Sequence, residues 1–259
     1  GSFLMFAGMA SISLSSGLWL TAMAANPLGA EIARGQGVDI SFSSWLVASS
    51  VPTLAAMALL PLFLFKLIRP EVRETPEAPR AAAEALAAKG PLSASEKIVA
   101  ATFAGMVVLW GAAATLDLDS TAIAFLGLGV LLVTEVLTLK EIARQGDVLA
   151  TFIWFSALYT LSTQLDELGF MGFLGNRLAV RLDGFTPLAA GLVLVVAYVL
   201  LHYLFVSQTA HLLALFGVFL GVGLRLGVPV APLAFLLLFA TNFFSAITPQ
   251  GGSSNLLFA

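Results

Sequence analysis

Val206-Ser207-Gln208-Thr209-Ala210-His211 is a polar string between two apolar runs, Pro187–Val206 and Leu212–Leu226. In a soluble protein such a string would be an ordinary surface turn. The rest of the chain argues against that setting. It has 259 residues, 59% of them hydrophobic and only 10% charged, with a mean hydropathy of +0.98. An average soluble domain is about a quarter charged. So apolar a chain needs the bilayer as its solvent. Unwound backbone at membrane depth survives only where protein or a wet cavity covers it. The string is therefore expected to line something.

Two further interruptions flank it at a distance. Ser11–Asn26 is rich in Ser, and its Asn26-Pro27 is predicted to stop a helix, because proline lacks an N–H and disfavours a helical residue before it. Thr248-Pro249-Gln250-Gly251-Gly252-Ser253-Ser254-Asn255 interrupts an apolar run that resumes at Leu256. Thr21…Asn26-Pro27-Leu28 and Thr248…Asn255-Leu256-Leu257 share an order: Thr, small residues, Asn, then Leu. Paired breaks of this kind are the sequence pointer to the binding site of a secondary transporter.

Outward from the breaks, five stretches approach the roughly 20 apolar residues that a spanning helix needs. They are Ser44–Ile68 with Pro52 and Pro61, Ile98–Leu116, Thr121–Leu139, Val148–Leu165 and Pro187–Val206. Phe3–Ala25, Leu212–Leu226 and Leu233–Ile247 are shorter or interrupted. Between residues 69 and 97 the character changes. With Lys66, this region carries Arg69, Arg73, Arg80, Lys89 and Lys97, half of the 12 Lys and Arg. The positive-inside rule places it in the cytoplasm, Asp117–Ser120 outside, and Lys140–Asp147 inside again. Pro79–Ala88 reads as a short surface helix ended by Gly90-Pro91. Phe170–Asp183, with Arg177 and Arg181 on one face, reads as an amphipathic helix in the interface.

Several functions are excluded or disfavoured. The net charge is −3 and no basic block exists, so nucleic acid has no electrostatic footing. With no cysteine there is no disulfide or thiolate site. His202 and His211 are too few for a zinc site without carboxylates. A membrane hydrolase would need Ser207 and His211, one helical turn apart, yet no acid lies near to orient the imidazole. An arsenite or sodium/proton carrier would want Asp or Glu within a break, and none is there. What the breaks do offer suits an anion. Helix N-termini present N–H groups that attract negative charge, and unwound segments present carbonyls that coordinate sodium. Ser207, Gln208, Thr209, Thr248 and Asn255 can donate to carboxylates. No Arg or Lys lies near, and weak neutral ligation lets a carrier release its cargo. Other polar features read as structural. Gly217–Gly221 is a GxxxG packing stripe, His202 an interhelical hydrogen-bonder, and Glu135 a snorkelling helix-end residue. Ser11, Ser13, Ser15 and Ser16 fit interhelical glue and cavity wall equally.

Leu204-Phe205-Val206-Ser207-Gln208-Thr209-Ala210-His211-Leu212-Leu213-Ala214-Leu215 and Thr21-Ala22-Met23-Ala24-Ala25-Asn26-Pro27-Leu28 resemble motifs of the divalent anion:sodium symporter family. The resemblance is to the branch of 2-oxoglutarate/malate translocators and citrate/succinate antiporters. Thr248–Asn255, and Leu137–Glu141 followed by Phe152–Phe155, support it. It implies an all-α integral membrane protein, an inverted repeat with re-entrant hairpins and broken helices, working as a homodimer by elevator-like alternating access. On this basis residues 1–33 are the broken helix of the first repeat, 40–68 a span, 69–97 the cytoplasmic loop and 98–259 the second repeat. That repeat would contain an interfacial helix at 170–183, a hairpin at 187–226 with its tip at 207–209, and a broken helix at 233–259. Ser207, Gln208, Thr209, Thr21, Asn26, Thr248, Pro249 and Asn255 would bind the substrate, a small di- or tricarboxylate. Ser207, Gln208, Ala246 and Thr248 would hold sodium if sodium is coupled, and no other cofactor is expected. The setting would be a bacterial inner membrane. Both termini lie in apolar sequence, as expected of a piece of a longer carrier whose first hairpin precedes residue 1.

Overall fold

The computed structural model describes residues 2–70, 72, 74–144, 146–205 and 207–244. Among these the regular structure is helical. In chain order the helices are α1 Ser2–Leu18, α2 Ala25–Gly35, α3 Phe42–Ile68, α4 Ala78–Lys89, α5 Ala94–Leu116, α6 Ser120–Val133, α7 Leu139–Arg144, α8 Gly146–Glu167, α9 Phe170–Arg181, α10 Pro187–Leu201, α11 Gln208–Arg225 and α12 Val230–Phe243; a 3-10 turn, His202–Leu204, ends α10.

Side-chain caps set several of the starts. Ser41 and Ser44 cap α3 reciprocally, as Ser93 and Glu96 cap α5. Asp119 accepts the Ala122 N–H at 2.8 Å and opens α6. A further pair, Thr138 and Glu141, starts α7. That pair explains one departure from expectation. The predicted span Thr121–Leu139 ends as a helix at Val133, because the chain must turn before Thr138 can cap the next helix. Glu135 takes up the turn at φ +57°.

Four helical stretches among the described residues are long and apolar enough to cross a bilayer: α3, α5, Pro187–Leu204 and α11. Their burial differs in a telling way. Only 6% of the apolar window of α3 is buried, against 56% for α11. The first needs lipid to cover it, whereas the second is the centre of the protein. Around α11, Leu212, Phe216 and Leu220 meet Leu194 and Tyr198 of α10 and Leu233, Leu237 and Leu238 of α12, all fully or nearly fully buried. The glycine stripe packs as expected. Gly217 and Gly221 face Ile32 of α2 and the Gln36 side chain, whose amide donates to Gly217 O at 2.9 Å. α4 buries no residue, and its Arg80–Glu77 and Arg80–Glu84 pairs are solvated. α9 lies along α11, with Arg225 bonded to Asn176 and the Arg177 guanidinium 5.0 Å from the Phe173 ring centre.

One expectation is reversed. Asn26-Pro27 does not stop α1, which has already ended at Leu18; it lies in the first turn of α2. There a missing proline N–H has no intrahelical partner to lose, so the dipeptide begins a helix at no hydrogen-bond cost.

Candidate substrate site at the helix breaks

The break between α1 and α2 leaves carbonyls without intrahelical donors, a severe liability inside a membrane. Side chains satisfy them one by one. Trp45 Nε1 donates to Gly17 O at 3.1 Å and Ser49 Oγ to Leu18 O at 3.0 Å. Asn26 Nδ2 reaches Ser16 O and Trp19 O at 3.4 and 3.3 Å. Trp45 and Ser49 belong to α3 and are fully buried. The break is thus a built feature, held open by donors from the next span.

The hairpin tip is built in a similar way. Ser207 is the N-cap of α11, its Oγ accepting from Ala210 N at 3.3 Å. Gln208 then reaches across to α12. Its Nε2 donates to Thr241 O at 2.8 Å and contacts Asn242 O at 3.5 Å. These are among the last carbonyls of α12, the groups that a helix end leaves short of donors. An amide from another segment therefore covers a helix end at both places: Asn26 at α1, Gln208 at α12. Ser207 and Gln208 are half-buried and Thr209 is buried.

The two breaks are joined. Asn242 Nδ2 donates to Asn26 Oδ1 at 2.8 Å, linking residues 216 positions apart, and also to Leu238 O of its own helix. Beside it, Thr241 Oγ1 donates to Leu237 O, which leaves the Tyr198 hydroxyl to donate to Thr241 at 2.9 Å. Tyr203 OH donates to Phe244 O at 2.8 Å. The hairpin α10–α11, the end of α12 and the α1–α2 break thus form one hydrogen-bonded assembly, with no charged side chain in any of these bonds.

Of the residues singled out in the sequence, Ser207, Gln208, Thr209 and Asn26 are brought together. Thr21 is exposed in the segment between α1 and α2. Asn26 is committed to the protein: its amide nitrogen faces the α1 carbonyls and its oxygen accepts from Asn242. Ala246, Thr248, Pro249 and Asn255 lie outside the described residues. Trp45, Ser49, Tyr198, Thr241 and Asn242 were missed. A lone polar residue inside an apolar helix was the available signal, but it gave no partner. The hydrolase alternative fails on geometry. Ser207 is engaged as a cap, and neither ring nitrogen of His211 has a hydrogen-bond partner among the described residues.

Buried helix breaks and a tip seated on a helix end, in a chain too apolar for water, define a helical membrane protein with a polar assembly built into its core. Residues 1–259 match the family model of the sodium:sulfate symporter transmembrane region, and the chain belongs to that family. The resemblance to divalent anion:sodium symporters is borne out. The chain is similar to the candidate malate transporter YflS of Bacillus subtilis, 37% identical over the whole chain and 54% of that protein. It is 37% identical to dicarboxylate transporter 2 of Spinacia oleracea chloroplasts, over 96% of this chain and 45% of the relative. It is 29% identical to the citrate/succinate antiporter of Escherichia coli, over 96% of this chain and 51% of the relative. The chain spans about half the length of these curated relatives.

Proposed function

We propose that this chain carries one half of the substrate site of a secondary transporter for di- and tricarboxylate anions. The observation that carries the reading is the seating of Gln208 on Thr241 O and Asn242 O, with Asn242 in turn bound to Asn26. It brings a half-buried tip, a buried helix end and a buried helix break to one place, lined by neutral donors. The relatives' names supply the cargo class: malate, dicarboxylate, citrate and succinate.

The substrate's carboxylates would lie against Ser207, Gln208 and Thr209 at the tip, with Thr248, Pro249, Asn255 and Thr21 as further ligands. Asn26 acts behind this surface by holding the break in shape. Alternating access would move the hydrogen-bonded assembly as one body, in the manner of an elevator, within a homodimer. Exchange of one carboxylate for another is the coupling that the antiporter relative favours, and a bacterial inner membrane is the proposed setting.

Counterflow in proteoliposomes containing the full-length parent tests the reading. Labelled malate or succinate should enter vesicles preloaded with unlabelled dicarboxylate at least about tenfold faster than empty ones, a difference of about 1.4 kcal/mol in the barrier. Sodium should change neither rate. Equal entry into loaded and empty vesicles would refute exchange, and sodium-dependent entry would make the protein a symporter.

A further inference from the structure

His211 is left over from everything described so far. Its side chain is fully buried in the first turn of α11, where its backbone N–H bonds Ser207 O at 3.0 Å. Rings enclose it. Tyr198 stands edge-on at 4.3 Å between ring centres, Phe244 at 4.8 Å, Phe205 at 4.9 Å and His202 at 5.4 Å. Neither Nδ1 nor Nε2 has a hydrogen-bond partner among the described residues. A neutral imidazole has one donor and one acceptor, and burying both unmet is unfavourable. A phenylalanine would fill the same aromatic box without that penalty. A group that cannot be justified by packing, one turn or about 6 Å below the substrate tip, needs a ligand.

We propose that His211 is a proton-binding residue that takes up one proton when a substrate carboxylate enters at the tip; the proposal rests on the carboxylate-carrier reading above. Among the described residues no anion faces the ring. α10 presents Tyr198, the 3-10 turn presents His202, and α12 has no titratable side chain between Val230 and Phe243. On α2, Glu31 and Arg34 pair with one another at the surface. On α8, Glu167 is exposed and bonded by Gln164. Arg177 and Arg181 of α9 are exposed, and Arg225 sits at the opposite end of α11, about 21 Å along the axis. Charging His211 alone would bury an unpaired cation. A carboxylate entering at the tip, one helical turn away, offsets that cost by opposite charge. Proton and anion therefore bind together, and each raises the affinity for the other by the same factor. In the step itself the lone pair of the unprotonated ring nitrogen forms an N–H bond with a proton delivered by hydronium from bulk solvent, leaving water, while the substrate keeps its carboxylate. Imidazolium and carboxylate remain as a pair. A dicarboxylate would then cross with one negative charge fewer.

The test uses the full-length parent in weakly buffered detergent solution at about pH 7.5, where both carboxyls of succinate are ionised. Saturating succinate should withdraw about one proton per carrier from solution, read by a pH-sensitive dye. The apparent affinity should fall about tenfold per pH unit above neutrality, the slope of one linked proton. His211→Gln, which keeps a donor and an acceptor but cannot hold the charge, should bind succinate with no proton uptake and a flat pH profile, while His202→Gln keeps both responses. Succinate binding to the unmodified carrier without proton uptake overturns the proposal even if His211→Gln fails to fold. So does an unchanged pH profile in His211→Gln, or a loss confined to His202→Gln. A parent that binds no carboxylate at all overturns the carrier reading, and the proton assignment with it.

Discussion

At Asn26 a single side-chain amide closes the break after α1 and ties it to α12. Its nitrogen serves Ser16 O and Trp19 O, and its oxygen takes the Asn242 amide. Asn26→Ala leaves these groups buried and unmet, at about 1–3 kcal/mol. Asn242→Ala should lose a similar amount, and the double substitution less than the sum, with a coupling of about 0.5–2 kcal/mol because the two amides share one bond. Equilibrium unfolding of the three variants in mixed micelles measures it; strict additivity would mean that the pair is not a bond. The sequence made Asn26 conspicuous through Asn26-Pro27, but as a helix stop and a substrate ligand. What it could not supply is the partner, because Asn242 is an isolated amide in an apolar run whose meaning depends on a fold that brings it to Asn26. Ser207–Thr209 was readable for the opposite reason. Its polar residues are contiguous and sit where α11 begins, so local chemistry alone marks them.

At the scale of elements, hydropathy located the long helices and misjudged how they are used. α3 and α5 lie where the apolar runs are, and the capping pairs Ser41–Ser44 and Ser93–Glu96 fix their starts. α6 stops short of its apolar run because Thr138 and Glu141 cap the following helix within that run. By apolar length α11 is a short segment, yet it is the packing centre. Burial by neighbours is a tertiary property that composition does not encode. Close approach of α2 to this centre depends on Gly29. A β-carbon there would stand 2.2 Å from Leu238 Cδ2 and 3.0 Å from Leu212 Cδ1, both on fully buried side chains. Gly29→Ala should therefore destabilise by about 1–3 kcal/mol through overpacking. Adding Leu238→Ala should return part of that loss by vacating the contact, although Leu238→Ala alone is itself destabilising through its cavity. Thermal unfolding in detergent reads the four-way comparison. If the double variant is no better than the sum of the single ones, steric conflict with Leu238 is not the cause.

Across the whole molecule, the depth of the tip separates a re-entrant hairpin from a pair of spans. Counting crossings cannot do so, because α10 and α11 run antiparallel and return the chain to its starting side in either case. The length of α12 can. Its 14 residues reach about 21 Å from its start, short of the roughly 30 Å hydrocarbon core, whereas Pro187–Leu204 and α11 are long enough to cross it. The Gln208–Thr241 bond holds the tip level with the end of α12. If residues 182–186 and 226–229 lie at the outer face, as the alternation from the positive loop 69–97 implies, the tip stops inside the bilayer. These 259 residues contain no cysteine; once any cysteine elsewhere in the full-length parent is replaced, single cysteines introduced here report cleanly. In right-side-out vesicles of the full-length parent, Ala85→Cys on α4 should react with a membrane-impermeant maleimide only after permeabilisation, and Thr121→Cys should react at once. Ala210→Cys, just beyond the half-buried Ser207, should resist the reagent from the inner face, and substrate should slow whatever outer-face labelling occurs. Rapid inner-face labelling of Ala210→Cys, insensitive to malate, would make the hairpin two ordinary spans with a surface turn. The anion would then have no tip within the bilayer to bind.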